Sequence, residues 1–342
     1  MTDLSERLPQ GVYFLSPESL LTHNSGCLME GLIDLNIPVF TNAAELTSRQ
    51  ASMPLKDQSL AKFHSELHPN FSAYIVDISH TNTFRPLVGL EDKPVAYLST
   101  NDSSIFCRVP EAHVLFSTHE NRFAKKGGAR HPIAFGPSNW LISQTENQSG
   151  FASRDGRILR NFQPTLSQGV RAMLDLSYVP LLEKETPVDR TSHSPHNYLN
   201  ALGTSSACLS YGGDFYAPIM HSEWFRKHQN EAHTLHTFDF IDRESLVLRW
   251  DSWRFWESLL SGCVAIHLDF EKYGFDLPVL PEAWVHYVPI DLENIKESVK
   301  TFFDRRSEWA SISERGRAWA IKHYAPKVTA ERCLNIILEH QS

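Results

Sequence analysis

Leu246-Val-Leu-Arg-Trp-Asp-Ser-Trp-Arg-Phe-Trp-Glu-Ser-Leu-Leu-Ser-Gly-Cys-Val-Ala-Ile-His-Leu-Asp-Phe270 is the stretch whose punctuation decides the fold. It reads strand, turn, helix, strand. Leu246–Arg249 is a short apolar run, and Asp251 and Ser252 are both residues that favour a helix N-cap. Trp253, Trp256 and Leu260 follow at i, i+3 and i+7, which predicts a helix over Ser252–Ser261 with one apolar face for a sheet. Arg254 and Glu257 share a different face. Gly262 stands where a helix can end in the left-handed conformation. Cys263–Leu268 is nearly all apolar, as a strand covered on both sides should be.

Outward from this stretch the same alternation continues. Towards the C-terminus a strand is expected at Trp284–Val288, then an amphipathic helix at Leu292–Phe303 carrying Leu292, Ile295, Val299 and Phe302 on one face. Helices at Glu308–His323 and Val328–His340 are parted by Pro326. Towards the N-terminus, Ala207–Tyr211 is a strand running into Gly212-Gly213-Asp214, and a helix starting at His196 follows the loop Asp189–Pro195. Leu176–Leu182 is a further strand candidate despite Pro180. In the first half, strands are expected at Gly11–Leu15, Ile37–Phe40, Ala73–Ile78, Val95–Leu98, His113–Phe116 and His131–Phe135, with a helix over Ser25–Asn36. Short apolar runs alternating with helical patterns predict parallel α/β units. The polar passage between Gly150 and Pro164 marks a border. We therefore expect an N-terminal Rossmann-like domain over 1–160 and a second over 161–325, with a C-terminal helix at 326–342 packing back across them.

Composition bounds the function. The 342 residues, 42% of them hydrophobic and 21% charged, suit two globular domains. A net charge of −8 speaks against a nucleic-acid partner, which needs clustered Lys and Arg. The one basic stretch, Arg122–Arg130, reads as a solvated loop. The five cysteines are odd in number, scattered and without CxxC spacing, so neither a disulfide framework nor a zinc site is indicated. Reduced buried thiols in a cytoplasmic protein are expected. No apolar leader and no transmembrane run is seen. Among 17 histidines there is no HExxH, and the pairs His193/His196 and His233/His236 lack a third ligand nearby in sequence, so no metal is expected.

Arg254-Phe-Trp-Glu257-Ser-Leu-Leu-Ser-Gly262-Cys-Val-Ala resembles the donor-site helix of GT-B glycosyltransferases, most nearly the exostosin-like and CgeB-like groups. The resemblance covers about 25 residues. It implies a GT-B fold, α/β, with two Rossmann-like domains facing across a cleft and closed by C-terminal helices. It also implies that Glu257 holds the ribose hydroxyls of a nucleotide sugar, with Arg254 beside it for nucleotide or phosphate. The chemistry suits the residue types: a carboxylate accepts two hydrogen bonds from a cis-diol, and a guanidinium grips phosphate bidentately. The sequence departs from the family in one respect. Many retaining members carry a second acid eight positions before the ribose-binding one, and here that position is Arg249. This points to an inverting enzyme and makes Arg249 a diphosphate candidate. By the same resemblance the leaving phosphate is neutralised by protein groups, with no bound metal and no cofactor beyond the nucleotide sugar.

Other candidates come from strand ends, where open α/β sheets bind ligands. Arg190 and His196 flank a helix N-terminus suited to phosphate, and Gly213 would let backbone approach the donor. Asp77 and His119, each after a first-half strand, are the candidate general bases of an inverting transfer. The expected activity is sugar transfer from a nucleotide-diphosphate sugar to a glycan, protein or small molecule. A GT-B sugar-nucleotide epimerase and a non-catalytic nucleotide-sugar-binding module stand as alternatives.

Overall fold

The computed structural model describes residues 4–17, 20–43, 45–46, 61–64, 70–102, 104–124, 129–146, 150–162, 169–217, 236–237 and 246–340. The chain forms two compact units. The first is Met1–Thr118 with Lys126–Ser143 and Lys322–Ser342, and the second is His119–Lys125 with Gln144–Ile321. Lys125 and Lys126 of the basic stretch, and His233, lie outside the described residues.

The first unit is built on a seven-stranded sheet. Its strands are β1 (Val12–Leu15), β2 (Val39–Thr41), β3 (Lys62–Phe63), β4 (Ala73–Asp77), β5 (Val95–Ser99), β6 (Val114–Ser117) and β7 (Ala129–Pro132). Their order is β3-β2-β1-β4-β5-β6-β7, and every pairing is parallel. All five residues of β4 are buried, as the near-continuous apolar sequence of a doubly covered strand requires. Helix α1 (His23–Asp34) follows β1 and packs on the C-terminal helix Pro326–His340, with Leu28, Met29 and Leu32 in one core with Ala330, Leu334 and Ile337. The approach is close enough that a methyl at Gly31 would sit 2.1 Å from the Pro326 carbonyl oxygen.

The second unit holds a five-stranded sheet of β8 (Ile158–Leu159), β9 (Val188–Asp189), β10 (Ala207–Leu209), β14 (Val264–Leu268) and β15 (Val288–Ile290). The order is β9-β8-β10-β14-β15, again all parallel. A separate three-stranded sheet joins β11 (Asp214–Ala217), β12 (His236–Thr237) and β13 (Leu246–Leu248). Helices α2 (Gly169–Ser177), α3 (Pro195–Thr204), α4 (Trp253–Leu260) and α5 (Ile295–Asp304) cover the strands. The five cysteines are free and buried. Among the described residues no helix is long and apolar enough to cross a membrane.

Three local expectations are corrected. Leu176–Leu182 is helical: it ends α2 and continues as one turn, Val179–Leu182, where Pro180 occupies a first-turn position that needs no amide donor. Trp284 takes φ of 61°, so the strand after it begins only at Val288. Leu246–Leu248 does not belong to the parallel sheet but pairs antiparallel with β11. Arg249, at φ of 56°, ends that strand and redirects the chain into α4.

Candidate functional site

Each parallel sheet has one point where strand order reverses: between β1 and β4 in the first unit, and between β8 and β10 in the second. Ligands of open α/β sheets bind outside the carboxyl ends of strands at such a point. In the second unit those ends are Arg160 and Asn161 after β8, and Ser210 to Gly213 after β10. Helix α4 opens beside them. Ser252 is its N-cap residue in extended conformation, and Asp251 reaches over the first turn to accept from the Trp256 indole N–H at 2.9 Å. Arg254 donates from Nε to the Asn161 carbonyl at 2.6 Å, which ties the first turn of α4 to the end of β8. The Ser258 hydroxyl bridges the Arg254 carbonyl at 2.6 Å and lies 3.1 Å from the Ser210 hydroxyl.

Glu257 is carried on the inner side of this helix and is 3% exposed. The whole run Phe255–Leu260 is buried, while Trp253, expected on the sheet-facing stripe, is only half-buried. Burial pushes the Glu257 carboxyl up to about 7, opposed by the nearby Arg254 guanidinium and the Tyr198 hydroxyl of α3. Arg254 and Glu257 approach closely enough to feel each other's charge but form no ion pair within bonding distance. The group is therefore a carboxyl kept out of water, in which the Arg254 guanidinium and the Tyr198 hydroxyl do not offset the burial. Gly262, at φ of 62°, closes the helix in the left-handed region.

The remaining donor candidates divide. Arg249 donates to Asp214 at 3.1 Å, and the other oxygen of Asp214 accepts the Gly169 amide at the start of α2. Gly213 has φ of 123°, and a Cβ there would lie 2.7 Å from Val247, so its conformation and its packing both call for glycine. Arg190 follows the edge strand β9 and is bonded to Glu183 at 2.8 Å, with Asp175 at 3.7 Å. His196 stands in the first turn of α3, and its side chain lies outside the described residues.

Two arginines that the sequence reading passed over sit at the reversal point. Arg171 of α2 is 9% exposed and donates from Nε to the Tyr211 carbonyl at 3.0 Å, with Nη2 3.4 Å from the Ser252 hydroxyl. Arg160, 8% exposed, pairs with Asp175 at 2.7 Å. Phe162 carries both guanidiniums on its ring, at 4.9 and 5.3 Å from the centroid. The signal for Arg171 was present in Val170, Met173 and Leu174, a helical i, i+3, i+4 set hidden by reading the following residues as a strand.

In the first unit Asp77 is the last residue of β4, at the β1/β4 reversal, and is 1% exposed. One oxygen accepts from the Thr22 amide (2.9 Å), the Thr22 hydroxyl (2.8 Å) and the Ser25 hydroxyl (2.6 Å), and the other accepts the Ser79 amide (3.0 Å). It fastens the N-terminus of α1. His119 belongs to the second unit, at φ of 60°, and its Nδ1 accepts the Asp251 amide at 3.1 Å. That bond assigns the ring proton of the neutral form to Nε2. Among the described residues no three His, Cys, Asp or Glu side chains gather as a metal-ligand set.

No protein-family model matches the chain, and no curated protein matches its sequence. Solved structures do match. An alpha-glucosyltransferase (AGT) in complex with UDP aligns at TM-score 0.51 and 9% identity over 96% of this chain and 100% of that chain. An alpha-glucosyltransferase in complex with UDP and a 13-mer DNA containing a central A:G mismatch aligns at TM-score 0.51 and 11% identity, with the same coverage. AviGT4, a glycosyltransferase involved in avilamycin A biosynthesis, aligns at TM-score 0.49 and 12% identity over 97% of this chain and 98% of that one. At such identities the likeness defines the fold. The chain has the GT-B fold, with two Rossmann-like α/β domains.

Proposed function

We propose that the chain is a glycosyltransferase that moves a sugar from a nucleotide-diphosphate donor to a glycan, protein or small-molecule acceptor. The observation that carries this reading is Glu257: a buried carboxyl, raised to about 7, on the helix that opens at the β8/β10 reversal. A ribose diol would donate two hydrogen bonds to it and add to the partial support it has from Tyr198 and Arg254. Arg254 is assigned to the nucleotide or its phosphates, and Arg171 to the diphosphate. Arg249 and Arg190 rank after them, because each already faces a carboxylate. Gly213 and His196 are assigned to the border of the donor seat.

The UDP in the alpha-glucosyltransferase structures supports a nucleotide co-substrate. One of those structures also holds DNA. A net charge of −8 in this chain speaks against a duplex acceptor, so a glycan, protein or small molecule is favoured. The transfer is proposed to invert the anomeric centre, because Arg249 stands where many retaining GT-B enzymes carry a second acid, and to run without metal, with protein groups neutralising the leaving phosphate. Of the two base candidates, Asp77 has its acceptor sites filled. His119 would have to give up the Asp251 amide to take a proton at Nδ1, so its Nε2–H is better suited to stabilising developing negative charge.

The deciding experiment is a thermal-shift and calorimetric panel of nucleotide sugars. At least one is expected to bind, and Glu257→Ala to weaken that binding at least tenfold with the fold intact. Binding that is indifferent to Glu257→Ala would overturn the assignment. Product analysis by NMR then reads the anomeric outcome, EDTA is expected to leave turnover unchanged, and conversion of donor without acceptor would identify an epimerase instead.

A further inference from the structure

At the C-terminal end of α4, about 12 Å along the helix from its first turn, the second unit carries a separate half-open cavity of about 310 Å³. It lies on the side of the sheet where β14 begins, so it is distinct from the β8/β10 reversal. Its floor is the end of the helix, Leu260 to Gly262. Two arginines tie that floor down. Arg154 donates to the carbonyls of Leu202, Ser205 and Ser261, and Arg317 to those of Leu260 and Thr145. The Ser313 hydroxyl donates to the Gly262 carbonyl at 2.7 Å. The helix end is thus satisfied by the protein alone.

Two polar atoms of the wall are left over. The hydroxyl of Ser261, a residue 1% exposed, and the Nε of Arg154 are both buried without a hydrogen-bond partner. Buried polar atoms are nearly always paired, so two unpaired ones in residues of one wall mark a place that the protein's own groups do not fully close. The half-buried Phe151 ring gives the wall an apolar surface, and the exposed Glu146 and Glu314 stand at the mouth. The two guanidiniums and two carboxylates cancel in formal charge. An anion would meet the glutamates and a cation the arginines. A ring of hydroxyls, each both donor and acceptor, with a C–H face for an aromatic wall, meets every group present. The volume is at the low end of the range for ligand pockets, about 300–1,000 Å³, which suits a single sugar ring.

We propose that this cavity, walled by Phe151, Arg154, Ser261 and Glu314, is a second carbohydrate site that binds an uncharged hexosyl ring away from the donor seat. It would hold a glycan by a residue that does not react. The proposal stands on the cavity and not on the transferase reading, and either can fail without the other.

The test is saturation-transfer NMR and titration of the full chain with the methyl glycosides of glucose, galactose, mannose and N-acetylglucosamine, repeated with UDP in excess. At least one glycoside is expected to bind and to keep its signal with UDP present. Its Kd is expected to rise at least tenfold in Phe151→Ala and in Glu314→Ala. Glu314 is on the exposed face, so its variant carries the test should Phe151→Ala fail to fold. Absence of binding by all four glycosides, binding indifferent to Glu314→Ala, loss of signal on adding UDP, or displacement by inorganic phosphate would each overturn the proposal.

Discussion

Asp77 in the first unit and Glu257 in the second invite direct comparison. Each is a buried carboxyl near the reversal of strand order in its sheet: Asp77 ends β4, and Glu257 lies just over one turn into α4, the helix that opens beside that point. Asp77 receives four hydrogen bonds from Thr22, Ser25 and Ser79, and these groups fasten α1. Glu257 has only Arg254 and Tyr198 near enough to influence it, and burial prevails, raising it to about 7. Two buried acids in comparable settings are therefore partnered differently. One is saturated by the protein and holds a helix in place. The other has fewer partners of its own, and the proposed ribose contact would add to them.

The comparison can be broken most sharply by Asp77→Ala. It strands three side-chain or amide donors around Thr22 and Ser25 and is expected to cost about 3 kcal/mol of stability or more, measured by urea denaturation. Nucleotide affinity of the protein that remains folded should not change. A variant as stable as the parent would remove the contrast between the two acids.

Glu257→Gln sharpens it from the other side. The folded group is raised above its ordinary value of 4.5, so its contribution to stability is full below about 4.5 and is lost as pH rises through about 7. At pH 8 the neutral glutamine should make the ligand-free protein more stable, by at most about 3 kcal/mol, and at pH 4.5 the two should match. With nucleotide bound the order reverses, since only the carboxylate accepts both ribose hydroxyls. Binding by the parent should tighten as pH rises through about 7 and release a proton, which calorimetry in buffers of different ionisation enthalpy detects. Equal pH profiles for parent and variant would refute the role.

The smallest effect is expected from Arg254→Lys. It removes the Nε donor to the Asn161 carbonyl and the planar fork. About 1 kcal/mol of stability and several-fold in nucleotide affinity should be lost, read from the same thermal-shift panel. A change in stability alone would make Arg254 a tie between α4 and β8 and nothing more.

The parts of the molecule legible in its sequence are those where a local pattern has one physical solution. The capped, amphipathic run from Ser252 to Leu260 with Gly262 after it becomes α4 with a left-handed terminus. The apolar runs at Val12, Ala73, Val95 and Val114 become parallel strands within a residue or so of their expected limits. What failed locally failed for identifiable reasons. Val179–Leu182 is apolar enough for a strand, yet a proline in a first helical turn is equally permitted. Arg249 and Trp284 adopt positive φ, a conformation no propensity assigns to arginine or tryptophan.

The sequence by itself determined the class of fold and made Glu257 the leading site candidate, because burial patterns, caps and turn glycines act between near neighbours and leave a periodic trace. Only the tertiary structure decided what each polar group meets. Arg171 comes to the reversal point through a carbonyl forty residues away, at Tyr211, and Ser261 lines a cavity together with Arg154 and Arg317 from distant segments. The state of a carboxyl is set by how much water is removed and which donors replace it, and those donors are chosen by the packing of whole elements. Asp77 and Glu257 look alike in sequence and are made different by their surroundings.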